Sequence, residues 1–268
     1  MGALPLLFLP LMARAFADDP SMLLKRHGEA VLRTVLVRVG GGRVIPDDLE
    51  VGQQSTKAGS VPVRELFGQG RALGTLMIWV AFFMCLLMIN GVTVWLPQLM
   101  VQAGYALGSS LIFMIVLNVG AIVGTLFMGQ LADRFGVKRV LVPMFVVAAV
   151  SLALLGFGAG MTVLLALVVV AGACTMGAQN ISYGFVSQYY PSFMRSTAIG
   201  LASAVGRIGA IMGPLFGGVL LTIGLPVQAN FLFFAVPGVI AGLAFFFVPL
   251  IRDAGSGAAD EDLRTAAR

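Results

Sequence analysis

The chain has 268 residues, 59% of them hydrophobic and 11% charged, with a net charge of +5; an average soluble domain is about 25% charged. At a mean hydropathy of +0.97 it carries more apolar surface than one water-facing core of this size can hide. That excludes an ordinary soluble protein and makes the lipid bilayer its solvent. Cys85 and Cys174 are the two cysteines; both lie in apolar runs, without disulfide-framework or metal-ligand spacing, and no metal or cofactor is expected.

Residues 3–13 form an apolar stretch too short to span a membrane, followed by Ala15-Phe16-Ala17, which could pass for a signal-peptidase site. No Lys or Arg precedes the stretch, and cleavage would export Lys25, Arg26, Arg33, Arg38, Arg43, Lys57, Arg64 and Arg71 against the positive-inside bias. Residues 1–16 are therefore read as the remnant of a membrane helix whose beginning is absent from the chain. Residues 17–71 read as a cytoplasmic linker, with a helix opening at Asp19-Pro20 and a break at Gly40-Gly41-Gly42.

Beyond the linker the charges thin out. None lies between Arg71 and Asp133, from Val140 to Met194, or from Ile208 to Ile251. Each gap can cross a membrane twice, at about 20 residues per crossing. Gly and Pro divide the gaps near Pro97 to Gly108, at Gly156 to Gly160, and at Gly224-Leu225-Pro226. The expected fold is an all-α, six-helix transmembrane bundle over 72–251, with helices at 72–96, 108–130, 139–158, 163–187, 197–222 and 229–251, and a cytoplasmic tail at 252–268. The segment before residue 72, the loop bearing Arg134, Lys138 and Arg139, the loop bearing Arg195, and the tail all fall on one side. The positive-inside rule makes that side the cytoplasm.

Arg207 is the one basic residue in the interior of a predicted helix. It lies eleven residues past Ser196, or about 16 Å into a core of about 30 Å. A guanidinium there costs about 2.5–3.5 kcal/mol on insertion scales and must face protein, water or an anion. A carboxylate clamp suits its planar fork; the bland alternative is an Arg satisfied by helix carbonyls or a buried polar neighbour. Gly209, Gly213 and Gly217 form a ridge for close helix packing that begins about 200° around the helix from Arg207, leaving Arg207 and Ser203 on the opposite face. Asn118, Asn90, Gln179, Asn180 and Tyr183 could line a cavity or make interhelical hydrogen bonds. Gly120 with Gly124 and Gly238 with Gly242 read as further packing pairs, and Trp95, Tyr189 and Tyr190 as interfacial anchors.

At a turn between two predicted helices stands Gly129-Gln130-Leu131-Ala132-Asp133-Arg134-Phe135-Gly136-Val137-Lys138-Arg139, a pattern G-x-L-x-D-R-x-G-x-[KR]-[KR]. Glycines there allow a tight turn and close helix approach, the lone carboxylate can meet a helix N-terminus, and the cations hold the loop inside. There is no H-E-x-x-H, no G-x-S-x-G, no G-x-x-x-x-G-K-[ST] and no Asp, Glu or His within the six predicted helices; His27 is in the linker. Neither an enzyme nor an ATP-driven pump is expected, nor a nucleic-acid partner.

The eleven-residue pattern resembles the signature loop of the major facilitator superfamily, in its copy between helices 8 and 9. Trp95-Leu96-Pro97 with Gly104, Tyr190-Pro191 with Arg195 and Thr197, and Gly206-Arg207-Ile208-Gly209-Ala210-Ile211-Met212-Gly213-Pro214 resemble its aromatic acid/H⁺ symporter branch. The resemblance implies the C-terminal half, helices 7 to 12, of a twelve-helix transporter in a bacterial inner membrane. Its substrate would be a small organic anion such as 4-hydroxybenzoate, bound near Arg207, Asn118, Gln179, Asn90 and Ser203. Gly129, Asp133, Arg134, Gly136, Lys138 and Arg139 would serve gating. Gly213-Pro214-Leu215-Phe216-Gly217-Gly218 also resembles the superfamily's antiporter motif, but in the wrong helix, and reads as internal pseudo-symmetry. Because substrate in such transporters lies between the halves, half the site and the proton-coupling carboxylate would come from an N-terminal half absent from this chain. The alternatives are a non-transporting remnant or assembly subunit, or a carrier of another organic anion or sugar.

Overall fold

The computed structural model describes residues 63–249 except positions 69, 159 and 192. The expected helix remnant at 1–16, the linker features at Asp19-Pro20 and Gly40 to Gly42, and the tail at 252–268 lie outside the described residues. What is described belongs to one compact unit, Ala58–Arg268.

A short 3-10 turn at Val63–Phe67 leads into six α-helices: α1 (Ala72–Gln102), α2 (Leu107–Phe135), α3 (Val137–Leu155), α4 (Met161–Tyr189), α5 (Arg195–Thr222) and α6 (Val227–Phe247). All six are long and apolar enough to cross a membrane. The expected all-α six-helix architecture is therefore present, with two boundaries displaced by about five or six residues and the others by four or fewer. α1 continues through Pro97 to Gln102, because in an apolar setting neighbouring helices and local adjustment re-satisfy the backbone group a proline frees. The chain turns instead at Gly104, whose φ of 95° suits glycine. α2 runs past residue 130 to Phe135, so Gly129, Asp133 and Arg134 are helical and the turn shrinks to Gly136, with φ 91°. The expectation of no acidic residue within the helices is corrected by the same extension: Asp133 belongs to the last turn of α2.

Packing follows the glycines. α1 lies chiefly against α5 and α6, α4 against α2 and α3, and α3 against α6. Along α5, a methyl at Gly206 would strike Leu86, at Gly209 the Phe83 backbone, at Gly213 the Leu87 and Gly91 backbones, and at Gly217 the Trp95 ring. The four-residue ridge is thus the face that meets α1. Gly120 and Gly124 of α2 sit equally close to the Val169 and Ala173 backbones of α4, and Gly172 of α4 to Leu117. Two helix pairs, α1 with α5 and α2 with α4, are built on the same device of backbone-to-backbone approach, which gains dispersion contact where no hydrophobic effect separates helix from lipid. Gly238 packs on Met88, Ala149 and Phe145, and Gly242 on Phe145. Phe82, Phe113, Phe145, Phe231, Phe234 and Phe245 fill the interior.

Exposure is uneven. In their most apolar stretches, α2 and α5 have only 22% of residues buried, against 56% in α1 and α6. Ile115, Ile122, Leu126 and Phe127 on α2, and Ile208, Ile211, Leu215 and Val219 on α5, are exposed, as lipid or another helical surface would require.

Candidate functional site

Arg207 stands on α5, twelve residues from its start at Arg195, or about 18 Å along the axis. Its neighbour Gly206 is buried on α1, while Arg207 itself is exposed and Ser203, one turn earlier, is half-buried. The ridge geometry expected from the spacing is what the helix shows. Among the described residues Arg207 has no hydrogen bond or ion pair.

Asn118 of α2 is exposed and donates its amide to the Met114 carbonyl at 2.7 Å. Asn90 of α1 is half-buried and donates to Leu86 at 2.9 Å. Both amides therefore satisfy a donor within their own helix. Asn180 of α4 bridges to Thr125 Oγ1 of α2 at 3.1 Å, an interhelical bond on an exposed surface. Gln179 beside it is half-buried. Of the five expected substrate residues Arg207, Asn118, Gln179, Asn90 and Ser203, none is bonded to another among the described residues. Asn118 meets Thr93 and Thr175 at a small cavity of about 10 Å³ between α1, α2 and α4, room for about one water and far below the roughly 300 Å³ of a ligand pocket.

At the positively charged end of the bundle, Gly129 has open space where a side chain would go, so the close approach expected of it is not made within the described residues. Asp133 and Arg134 are exposed, and Asp133 has no partner among the described residues. Gly136 makes the left-handed turn. Lys138, in the first turn of α3, donates to the Val248 carbonyl that follows α6 at 2.6 Å. Arg139 next to it is exposed.

One group was not singled out by sequence reasoning. Arg71, counted there as the linker's last cation, is more than nine-tenths buried. It donates to Met194 Sδ at 3.6 Å, and its Nε has no partner. Beside it Tyr190 donates to Thr75 Oγ1 at 2.9 Å, and Thr75 donates to the Leu66 carbonyl at 2.8 Å. Burial pushes the Tyr190 phenol above its usual range, against the opposing pull of Thr75 and Arg71. The Tyr189 hydroxyl is buried against Gly74 without a partner. Tyr189 and Tyr190 are thus parts of a knot tying together the neighbouring ends of α1, α4 and α5. The spacing Arg71, Gly74, Thr75, one helical face at i, i+3 and i+4, was the available signal.

A bundle of six helices, each long and apolar enough to cross a membrane, is a multi-pass membrane protein. Residues 111–266 match the Major Facilitator Superfamily, and the chain belongs to that superfamily, a family of transporters and not of enzymes. It is 36% identical over 251 residues to the benzoate transport protein of Acinetobacter baylyi, covering 92% of this chain and 54% of that protein. To the gallate transporter of Pseudomonas putida it is 30% identical over 245 residues, covering 91% and 54%. To the 4-hydroxybenzoate transporter PcaK of Pseudomonas aeruginosa it is 28% identical over 259 residues, covering 96% and 58%. The chain spans about half the length of the curated relatives it matches.

Proposed function

We propose that the chain forms one six-helix half of a proton-coupled transporter taking up aromatic carboxylates such as 4-hydroxybenzoate across a bacterial inner membrane. Both ends of its bundle then face the cytoplasm, and a second half completes the site. The observation that carries this reading is Arg207: a guanidinium near mid-membrane, exposed and unpaired among the described residues. Left to lipid it would be costly; an anion in a cavity between two halves removes that cost. The relatives' names supply the anion's class, since the benzoate, gallate and 4-hydroxybenzoate carriers all take aromatic acids. Asn118, Gln179, Asn90 and Ser203 supply polar wall, and the segment from Gly129 to Arg139 serves gating.

The test is uptake. Cells co-expressing this chain with the first six helices of the Acinetobacter baylyi benzoate transport protein are expected to accumulate labelled benzoate or 4-hydroxybenzoate down a proton gradient. Arg207→Gln in this chain should abolish that uptake. Undiminished accumulation by the variant would remove Arg207 from the site.

A further inference from the structure

A cleft of about 390 Å³ opens at the positively charged end of the bundle, between the α2–α3 turn and the inner end of α4. Its walls are Phe135, Gly136, Val137, Lys138, Arg139, Phe185, Gln188 and Tyr189. We infer that this cleft binds the phosphate of an anionic phospholipid headgroup, with Lys138 and Arg139 as its cationic ligands and Gln188 as a neutral donor. Four observations converge on it.

The lining holds two cations and no carboxylate, so the site selects anions. Lys138 donates one N–H to the Val248 carbonyl, which fixes its ammonium at the cleft; among the described residues its other two donors have no partner. The same wall is the N-terminus of α3, whose preceding residue Gly136 offers no side-chain cap; the first N–H groups of a helix add positive potential for an anion. Phe135 and Phe185 supply apolar wall, and exposed Leu131 and Phe135 continue the apolar surface at this edge. A free phosphate would leave that wall unused, whereas a phospholipid covers it with its acyl chains while its phosphate meets the cations.

The inference is independent of what the chain transports. It is tested on the full chain in a zwitterionic detergent, titrated with short-chain phosphatidylglycerol, short-chain phosphatidylcholine or inorganic phosphate. Retained lipid is read by native mass spectrometry and the unfolding temperature by scanning fluorimetry. Phosphatidylglycerol should remain bound and raise the unfolding temperature; phosphatidylcholine and inorganic phosphate at equal concentration should do neither. Lys138→Gln with Arg139→Gln should weaken phosphatidylglycerol binding at least tenfold, whereas Arg195→Gln, a cation outside the cleft, should leave it unchanged. Gln188→Glu keeps the side-chain size and places a carboxylate in the cleft, so it should expel the lipid even if the double variant fails to fold. Inorganic phosphate acting as well as phosphatidylglycerol, or full lipid retention by Gln188→Glu, would overturn the inference.

Discussion

Trp95 of α1 donates its indole N–H to the carbonyl of Pro214 in α5 at 2.9 Å. The same ring covers Gly217, where a methyl would overlap it. Pro214 lacks an N–H and so leaves an i−4 carbonyl of α5 without its helical donor; the Trp95 bond and the Gly217 contact pin the helix to α1 at this weakened point. Trp95 is therefore an interhelical clamp, where its position at a predicted helix end suggested an interfacial anchor.

The clamp predicts a ranking of variants. Trp95→Phe keeps most of the ring and loses one interhelical hydrogen bond, about 0.6 kcal/mol by membrane-protein averages. Gly217→Ala must push the indole aside and should cost more, about 1–3 kcal/mol for overpacking. Equilibrium unfolding in mixed micelles checks the order. A Gly217→Ala variant as stable as the parent would show that the ridge does not hold α1 and α5 together.

The glycines divide by the same reasoning. Gly124 lies on the Ala173 backbone, whereas Gly129, five residues on, has nothing within 4 Å of an added methyl. Gly124→Ala should lower the unfolding temperature of the chain and Gly129→Ala should not. If Gly129→Ala nonetheless impairs uptake in a two-half transporter, its constraint comes from the other half. Loss of stability in the single chain would instead place a partner for Gly129 within it.

Asp133 allows a parallel comparison. Its carboxylate is exposed at the C-terminal end of α2, with no ion pair among the described residues. If its carboxylate meets a helix end of a second half, Asp133→Asn should leave unfolding of this chain unchanged and reduce uptake in a two-half transporter. Equal destabilisation of the chain in both settings would place its partner within this half.

The bundle was legible in the sequence because lipid imposes a severe rule. A charge inside a span is costly, so three charge-free gaps marked six helices, and Gly or Pro marked the uncharged turns within them. Boundaries failed where that rule relaxes. Pro97 did not stop α1, and the charged run from Asp133 did not stop α2, since at the membrane edge a helix can continue into water. The exposed face of Arg207 followed from its angle to the glycine ridge, a local property. The burial of Arg71 did not, because it is decided by Met194, 123 residues away in sequence, and by Tyr189 and Tyr190. The clamp made by Trp95 was not legible for the same reason: its acceptor is 119 residues distant.

Arg207 and proton coupling give the sharpest test. If its guanidinium grips a carboxylate, Arg207→Lys should weaken 4-hydroxybenzoate binding in a two-half transporter although the charge is kept, because an ammonium cannot present two parallel N–H donors to both oxygens. Arg207→Gln should weaken it further. The six helices contain no His or Glu, and Asp133 lies in the last turn of α2, far from the helix centre, where a coupling group would sit between two access states. The 268-residue chain reconstituted by itself into liposomes should therefore show no uptake of 4-hydroxybenzoate driven by a pH gradient. Activity should return with a first half. Proton-driven accumulation by the chain alone would refute the divided site, since none of its midplane side chains can carry the proton.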